Sequence, residues 1–268
     1  MKNTESGQAG IAGRDIGFLF FLTFLNVLNM VDRQLLASLS NYIIPDLKLT
    51  NTEYGLLTGL VFLFFYSIAG LFMGILADTV NRTRLIAFGL ALWSGFTALT
   101  GMARNFVGLA IPRVFIGIGE SIITPSAMSL LSDRFTSSNL GFATGFYYLG
   151  VPIGAGISLL VAGYLAPIIG WRSCFYLLGG LGIFLSLMMW FMKETPRRYH
   201  LAINNNRADE PAINMNYVVR LAFETIPKSP ALVWTIVGAM SMSFFFGTII
   251  FEQLWLGQER GVERSQIA

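Results

Sequence analysis

The chain has 268 residues, of which 54% are hydrophobic and only 12% are charged, whereas about 25% of the residues of a soluble domain are charged. Its mean hydropathy is +0.62, and a water-soluble globule of this size could not hide that many apolar side chains. The 18 basic and 15 acidic residues give a net charge of +3, and the basic residues form no stripe that would bind nucleic acid. The composition therefore predicts an integral membrane protein.

Seven apolar stretches are long enough to cross the bilayer core, which takes roughly 20 helical residues. They cover residues 16–42, 54–77, 85–103, 106–131, 141–167, 171–192 and 231–257. The predicted organisation is a disordered cytoplasmic tail (1–13), a six-helix transmembrane bundle (14–193), a cytoplasmic linker (194–230) with a surface helix near 216–226, and a seventh transmembrane helix that opens a second half (231–268). The predicted fold class is all-α.

The polar segments between the apolar stretches contain local signals of helix starts and of membrane interfaces. The sequence from Thr50 to Glu53 matches a capping box, which predicts the start of the second span. Trp171 and Arg172 form an aromatic–basic pair of the kind that anchors at a membrane interface. If the N-terminus is cytoplasmic, 11 basic residues fall in inner loops, 5 fall outside and 2 lie within spans. This distribution predicts a multi-pass protein of the cell membrane with its N-terminus inside.

Four charged residues lie inside the predicted spans, at a cost of about 2.5–3.5 kcal/mol each on insertion scales. They are Asp32 and Arg33 in the first span, and Arg113 and Glu120 in the fourth. Such residues usually mark a substrate or ion path, which is the preferred interpretation, and structural ion pairs between helices are the alternative that is compatible with it. Asp32 has an arginine beside it in sequence, so Glu120 is the better candidate for coupling transport to protons.

Small residues and a proline cluster in the fourth and fifth spans, where they predict close helix packing and a weakened backbone ladder. They are Gly117, Gly119, Gly150, Pro152 and Gly154. The lone Cys174 and the lone His200 exclude a disulfide scaffold and a metal centre built from cysteine or histidine. Cys174 is predicted to be a buried packing residue. No nucleophile–base pair, metal set or phosphate loop emerges, so neither an enzyme nor a bound cofactor is expected.

Taken together, these residues resemble the major facilitator superfamily. Residues 74–84 (GILADTVNRTR) look like its signature between helices two and three, with Asn81, which tolerates a positive φ, at the usual glycine. Arg113 with Gly117 and Gly119 resembles the family pattern of helix four, and residues 150–154 resemble that of helix five. Five shorter motifs are similar to the bacterial form of the Spinster-like branch: Asp32–Arg33, residues 117–121 (GIGES), 132–135 (SDRF), Trp171–Arg172 and 194–197 (ETPR).

The resemblance implies a six-helix N-terminal bundle plus the seventh helix of a transporter that works by alternating access. It implies that the four charged residues face a central cavity and that the substrate is amphiphilic, such as a lysolipid, a sphingolipid-like compound or a lipophilic drug. It also implies a cytoplasmic gate in which charged side chains latch onto the second half: Asp78, Arg82, Arg84, Asp133 and Arg134. Family members carry about 12 helices in two halves. The chain is therefore expected to be a fragment or to need a companion C-terminal half.

Two functions remain open at this stage. The first is a secondary transporter, either proton-coupled or facilitative, and the second is a non-transporting membrane subunit that docks through the exposed face of an incomplete half. A seven-helix retinal protein is excluded because the seventh predicted span contains no lysine. The expected partners are an amphiphilic small molecule, protons, the lipid bilayer and a companion half.

Overall fold

The computed structural model describes residues 13–197, 224–249, 255–256 and 259–260. Residues 1–12 of the predicted tail, His200 and most of the predicted surface helix at 216–226 lie outside this part. Gly13, which was predicted to belong to the tail, is already helical. All the regular elements of the described residues are helices, and this confirms the predicted fold class.

Twelve α-helices are described. They are α1 (Gly13–Ser38), α2 (Ser40–Leu47), α3 (Asn51–Thr58), α4 (Leu60–Thr79), α5 (Arg82–Thr100), α6 (Phe106–Glu120), α7 (Ile123–Arg134), α8 (Ser137–Tyr148), α9 (Gly150–Leu160), α10 (Ala166–Ile169), α11 (Trp171–Trp190) and α12 (Pro230–Ile249). A π-helical turn, Val161–Leu165, joins α9 to α10, and a 3-10 turn, Ile226–Lys228, precedes α12.

Within the described residues, six helical segments are long and apolar enough to cross a membrane. Span 1 is α1, span 2 is α3 with α4 (Asn51–Thr79), and span 3 is α5. Span 4 is α6 with α7 (Phe106–Arg134), span 5 runs from α8 to α10 (Ser137–Ile169), and span 6 is α11. Each agrees with a predicted stretch to within a few residues, although span 1 ends at Ser38 and its predicted extension forms the separate helix α2. Helix α12 coincides with the predicted seventh span, whose crossing of the membrane stays a prediction.

Prolines explain the interruptions in spans 4 and 5. A proline has no amide hydrogen and its ring collides with the carbonyl four residues earlier, which breaks the helix there. Four residues before Pro152 is Tyr148, where α8 ends. Four residues before Pro125 is Ser121, which separates α6 from α7. The weakened ladder expected around Pro152 is thus confirmed as a break between two helices.

Side-chain caps fix the starts of spans 2, 3 and 4, the last through Asn105, which accepts a hydrogen bond from the Gly108 amide. The Thr50 hydroxyl accepts a hydrogen bond from the Glu53 amide, and the Glu53 carboxylate accepts one from the Thr50 amide, which confirms the predicted capping box. Asn81 caps α5 by accepting from the Arg84 amide, at a φ of −67°. The signature turn therefore does not use the tolerance of Asn81 for positive φ, because its side chain serves as a cap.

Glycines bring the helices into close contact, as predicted. A methyl group added at Gly154 would lie 2.6 Å from the Val27 carbonyl oxygen, and one at Gly117 would lie 3.0 Å from that of Phe62. Gly119 is equally close to the backbone of Gly89, and Gly150 touches Asn26. Span 5 thus packs tightly on span 1, and span 4 packs on spans 2 and 3. Small residues at these crossings allow the charged side chains of spans 1 and 4 to meet.

We expect Gly154→Ala to destabilise the bundle, because the new methyl group overlaps a backbone oxygen that cannot move alone. Overpacking of this kind costs about 1–3 kcal/mol. Gly156→Ala is the matched control, since Gly156 is exposed and a methyl group there meets nothing within 4 Å. Thermal unfolding in detergent should show a lower midpoint for Gly154→Ala only. Equal midpoints for both variants would contradict the packing described here.

Candidate functional site

An ion pair joins span 1 to span 4 in the middle of the bundle. The Arg33 Nε and Nη2 atoms each lie 3.2 Å from the Glu120 Oε2 atom. Glu120 is completely buried, whereas the Arg33 side chain is 27% exposed. The guanidinium group therefore joins a buried carboxylate to the open face of the bundle, where a small molecule could reach it.

The two other predicted charges lie beside this pair. Arg113 is buried, and its Nη2 atom donates to the Arg33 carbonyl oxygen at 3.2 Å. Asp32 is also buried, and its Oδ2 atom accepts a hydrogen bond of 2.5 Å from the Thr97 hydroxyl of span 3. The structure thus brings the four predicted residues together, and we call Asp32, Arg33, Arg113 and Glu120 the charge cluster.

The preference for Glu120 over Asp32 as the proton carrier stays a prediction. It was based on the arginine beside Asp32 in sequence, although consecutive helical residues point about 100° apart and the two residues were not expected simply to neutralise each other. The Arg33 guanidinium contacts Glu120. The choice between the two carboxylates therefore depends on their contacts.

Sequence reasoning missed the aromatic residues of span 2. Phe62 and Tyr66 lie four residues apart on one face of α4, with their rings stacked at 5.6 Å. The Arg33 guanidinium carbon lies 4.5 Å from the Tyr66 ring centre and 5.1 Å from that of Phe62, and Arg113 lies 5.2 Å from Phe62. These are favourable cation–π distances. The i, i+4 spacing was the available signal, but span 2 contains too many aromatics for it to stand out.

Several buried polar atoms of the charge cluster and its surroundings have no hydrogen-bond partner within the part of the chain that the structure describes. They are Asp32 Oδ1, Glu120 Oε1, Arg113 Nε, Asn29 Nδ2 and the Tyr147 hydroxyl. Buried polar atoms are nearly always paired, so such a group of exceptions is typical of a functional site. Among the described residues, no three His, Cys, Asp or Glu side chains are placed to hold a metal ion.

A second charged cluster closes the end of the bundle where spans 2 and 3 join. Arg82 has a fully buried side chain. Its Nη1 atom contacts Asp133 and its Nε atom lies 2.9 Å from the Glu194 carboxylate. Glu194 also accepts from the Thr83 amide, and Thr195 offers its carbonyl oxygen to Arg82 at 2.7 Å. The segment after span 6 is therefore attached to the start of span 3.

The predicted latch residues differ in their contacts. The Arg82 donors bind groups within the six-span bundle. Arg134 contacts Asp15 at 2.7 Å. Asp78 and Arg84 are exposed, and Asp78 has no hydrogen bond or ion pair with another described residue. A latch against a second half stays a prediction for these residues.

At the opposite end of the bundle, the placement of the Trp171 side chain differs from the prediction. The indole is buried and donates to the Asp46 carboxylate at 3.2 Å, so it does not lie in the lipid interface. Arg172 binds Asp46 and donates to the Ala103 carbonyl oxygen at 3.0 Å. The aromatic–basic pair therefore fastens α2 to spans 3 and 6. Cys174 is buried nearby, as predicted.

Comparison with known proteins identifies the family of this chain. A model of the Major Facilitator Superfamily matches residues 22–267. The chain belongs to the major facilitator superfamily. This confirms the resemblance proposed from the motifs of helices two to five.

Curated relatives and a solved structure support the narrower resemblance to the Spinster-like branch. The chain is 25% identical over 243 residues to Protein spinster homolog 1 of Xenopus laevis. It is 33% identical over 181 residues to a protein of Escherichia coli named "Probable L-galactonate transporter". These alignments cover 88% and 68% of this chain but only 44% and 40% of the relatives, so the chain spans about half their length.

The structural comparison agrees. A bacterial homologue of the human lysosomal transporter Spinster, in an inward-facing and occupied conformation, has a TM-score of 0.77 at 27% identity. The superposition covers 95% of this chain and 56% of the homologue. The chain thus has the fold of one part of a Spinster-like transporter.

Proposed function

We propose that this chain forms the N-terminal half of a transporter that carries an amphiphilic organic anion across the cell membrane by alternating access. Its N-terminus and the Arg82 end of the bundle lie on the cytoplasmic side, consistent with the distribution of basic residues. The observation that carries the proposal is the partly exposed Arg33 guanidinium, which lies over two aromatic rings and touches a fully buried carboxylate.

The substrate class is chosen from these contacts. Arg33 presents its planar donors at the open face, and such donors bind carboxylate or phosphate oxygens well. The half-buried ring of Tyr66 provides apolar surface beside the charge, where an acyl or alkyl tail can pack. The name of the Escherichia coli relative mentions a sugar acid, which shares the anionic group but not the tail.

Coupling to protons follows from competition for Arg33. When an anionic substrate binds this guanidinium, Glu120 loses the ion-pair partner that stabilises its charge. A buried carboxylate without a partner is costly to keep ionised, so substrate binding and proton uptake by Glu120 favour each other. Asp32 has no ion pair in the described structure and accepts a hydrogen bond from Thr97. Its substitution would therefore change the local structure of the site rather than the competition between substrate and Glu120 for Arg33.

A second candidate function is a non-transporting membrane subunit that docks on a companion half through the exposed face of an incomplete half. The observation in its favour is that spans 2 and 5 are the least buried of the six. Exposed aromatic and aliphatic side chains cover both, among them Phe64 and Leu71 of span 2 and Ile153 of span 5. A second helical bundle could cover these apolar faces of spans 2 and 5 in place of lipid.

Counterflow in proteoliposomes tests the proposal and separates the two candidates. The purified chain is assayed alone and with a separately expressed C-terminal half of a Spinster-like relative, using a radiolabelled lysophospholipid and L-galactonate as alternative substrates. The proposal predicts exchange of the lysophospholipid but not of the sugar acid. Exchange of the lysophospholipid by the chain, alone or with the added half, would support the transporter, whereas no exchange in either preparation would favour the subunit. Exchange of L-galactonate alone, or no exchange in either preparation, would contradict the amphiphile assignment.

A further inference from the structure

The end of the bundle that contains Arg82 also contains a cavity that the transport site does not use. Its volume is about 600 Å³, which is within the range of small-ligand sites. Arg14 and Phe18 at the start of span 1, Asp133 and Arg134 at the end of span 4, and residues 192–196 after span 6 line it. The cavity therefore lies where three spans end.

The charges around this cavity are unbalanced. Its two carboxylates, Asp133 and Glu194, both contact the buried Arg82. Arg134 is paired with Asp15. Arg14 and Lys193 are exposed, and neither forms a hydrogen bond or an ion pair with another described residue. Two cations are thus available to an anion that enters the cavity.

Among the described residues, one buried hydroxyl group at this site has no partner. Thr195 is 9% exposed, and its Oγ1 atom makes no hydrogen bond to the described part of the chain, although its carbonyl oxygen accepts from Arg82. A hydroxyl group that can both donate and accept suits a phosphate oxygen. Its burial without a partner is the feature that distinguishes this cavity from an ordinary basic surface.

Apolar side chains flank the cations. Phe18 is buried beneath the Arg134 guanidinium at 4.1 Å, and Met192 forms part of the wall. Just before this wall, Trp190 and Phe191 are 51% and 84% exposed, in the pattern of an aromatic belt at a membrane interface. A ligand here would meet cations at one end and an apolar environment at the other.

We propose that this cavity binds the phosphate headgroup of an anionic phospholipid, with Arg14 and Lys193 as the charge partners and Thr195 as a hydrogen-bonding partner. The lipid's acyl chains extend along the aromatic side chains at the end of span 6. This site is separate from the charge cluster and does not depend on the function proposed for it.

Native mass spectrometry of the full-length chain tests this site. The protein in detergent is titrated with phosphatidylglycerol, with phosphatidylcholine and with inorganic phosphate, and bound lipid is counted. We expect phosphatidylglycerol to bind preferentially, and the double variant Arg14→Gln/Lys193→Gln to bind it about 30-fold more weakly, as expected for two basic residues near a membrane surface. Thr195→Val should also weaken binding, which a purely electrostatic surface would not show.

The control is Arg104→Gln, which removes an exposed cation from the opposite end of the bundle and should leave phosphatidylglycerol binding unchanged. Thermal unfolding in neutral detergent checks that all variants remain folded. Equal retention of the two lipids, or an equal loss in the Arg104 variant, would overturn the proposal. Displacement of phosphatidylglycerol by millimolar inorganic phosphate would show that the site takes a soluble anion and would overturn the lipid assignment.

Discussion

Glu120→Gln is expected to uncouple transport from the proton gradient. Glutamine keeps the size and the polarity of the side chain but cannot exchange a proton. Accumulation of an anionic substrate driven by a pH gradient should fall by about 5- to 150-fold, the range of typical coupling free energies. Exchange of substrate at equal pH requires no net proton movement and should be retained. The measurement compares gradient-driven uptake with counterflow in the same proteoliposomes, using whichever preparation shows exchange.

Glu53→Gln is the matched control for this experiment. Glu53 is a half-buried carboxylate outside the charge cluster, and glutamine at the same position preserves the capping box. This variant should transport as the unaltered protein does. Full pH-dependent uptake by the Glu120 variant would remove Glu120 from the coupling mechanism, and loss of both uptake and exchange would show that its role is structural.

Arg82→Gln is expected to have the largest effect on stability. The substitution removes the cation that two carboxylates share and leaves the Thr195 carbonyl oxygen without its donor. Breaking a buried ion pair by removing one partner typically costs about 3–5 kcal/mol. The apparent midpoint of thermal unfolding in detergent should therefore fall sharply, with reduced yield in the membrane.

The neighbouring substitution Arg84→Gln removes the same charge from an exposed position. It therefore separates the effect of burial on stability from the effect of charge. Arg84 is exposed, and its guanidinium lies 5.8 Å from the Trp190 ring. Loss of this distant contact should change the unfolding midpoint little. If both variants unfolded at the same temperature as the parent, the Arg82 cluster would not stabilise the bundle, and the latch assignment for Arg82 would gain support.

Features encoded by neighbouring residues were predictable from the sequence. The capping box at Thr50, the close glycine crossings at Gly117 and Gly154, and the break near Pro152 each depend on a few adjacent positions and on the general geometry of helices. The apolar stretches similarly located all six spans, because their length is set by the thickness of the membrane.

The pairing of charged side chains was not predictable in the same way. Arg33 and Glu120 are 87 positions apart, so their contact depends on how spans 1 and 4 cross. Adjacency in sequence did not reveal Glu120 as the partner of Arg33. The contacts of Arg82 were unpredictable for a similar reason, since one of its partners, Glu194, lies in a segment that composition alone assigns to a linker.

The attachment of that segment determines where movement can be transmitted. Arg197 donates to the carbonyl oxygens of Ala77 and Val80, and Glu194 holds the first turn of α5. Residues 194–197 are thereby attached to the turn between spans 2 and 3, and not only to the end of span 6. A displacement of that segment would therefore be transmitted first to Asn81 and Arg82, and the turn between spans 2 and 3 would move with it.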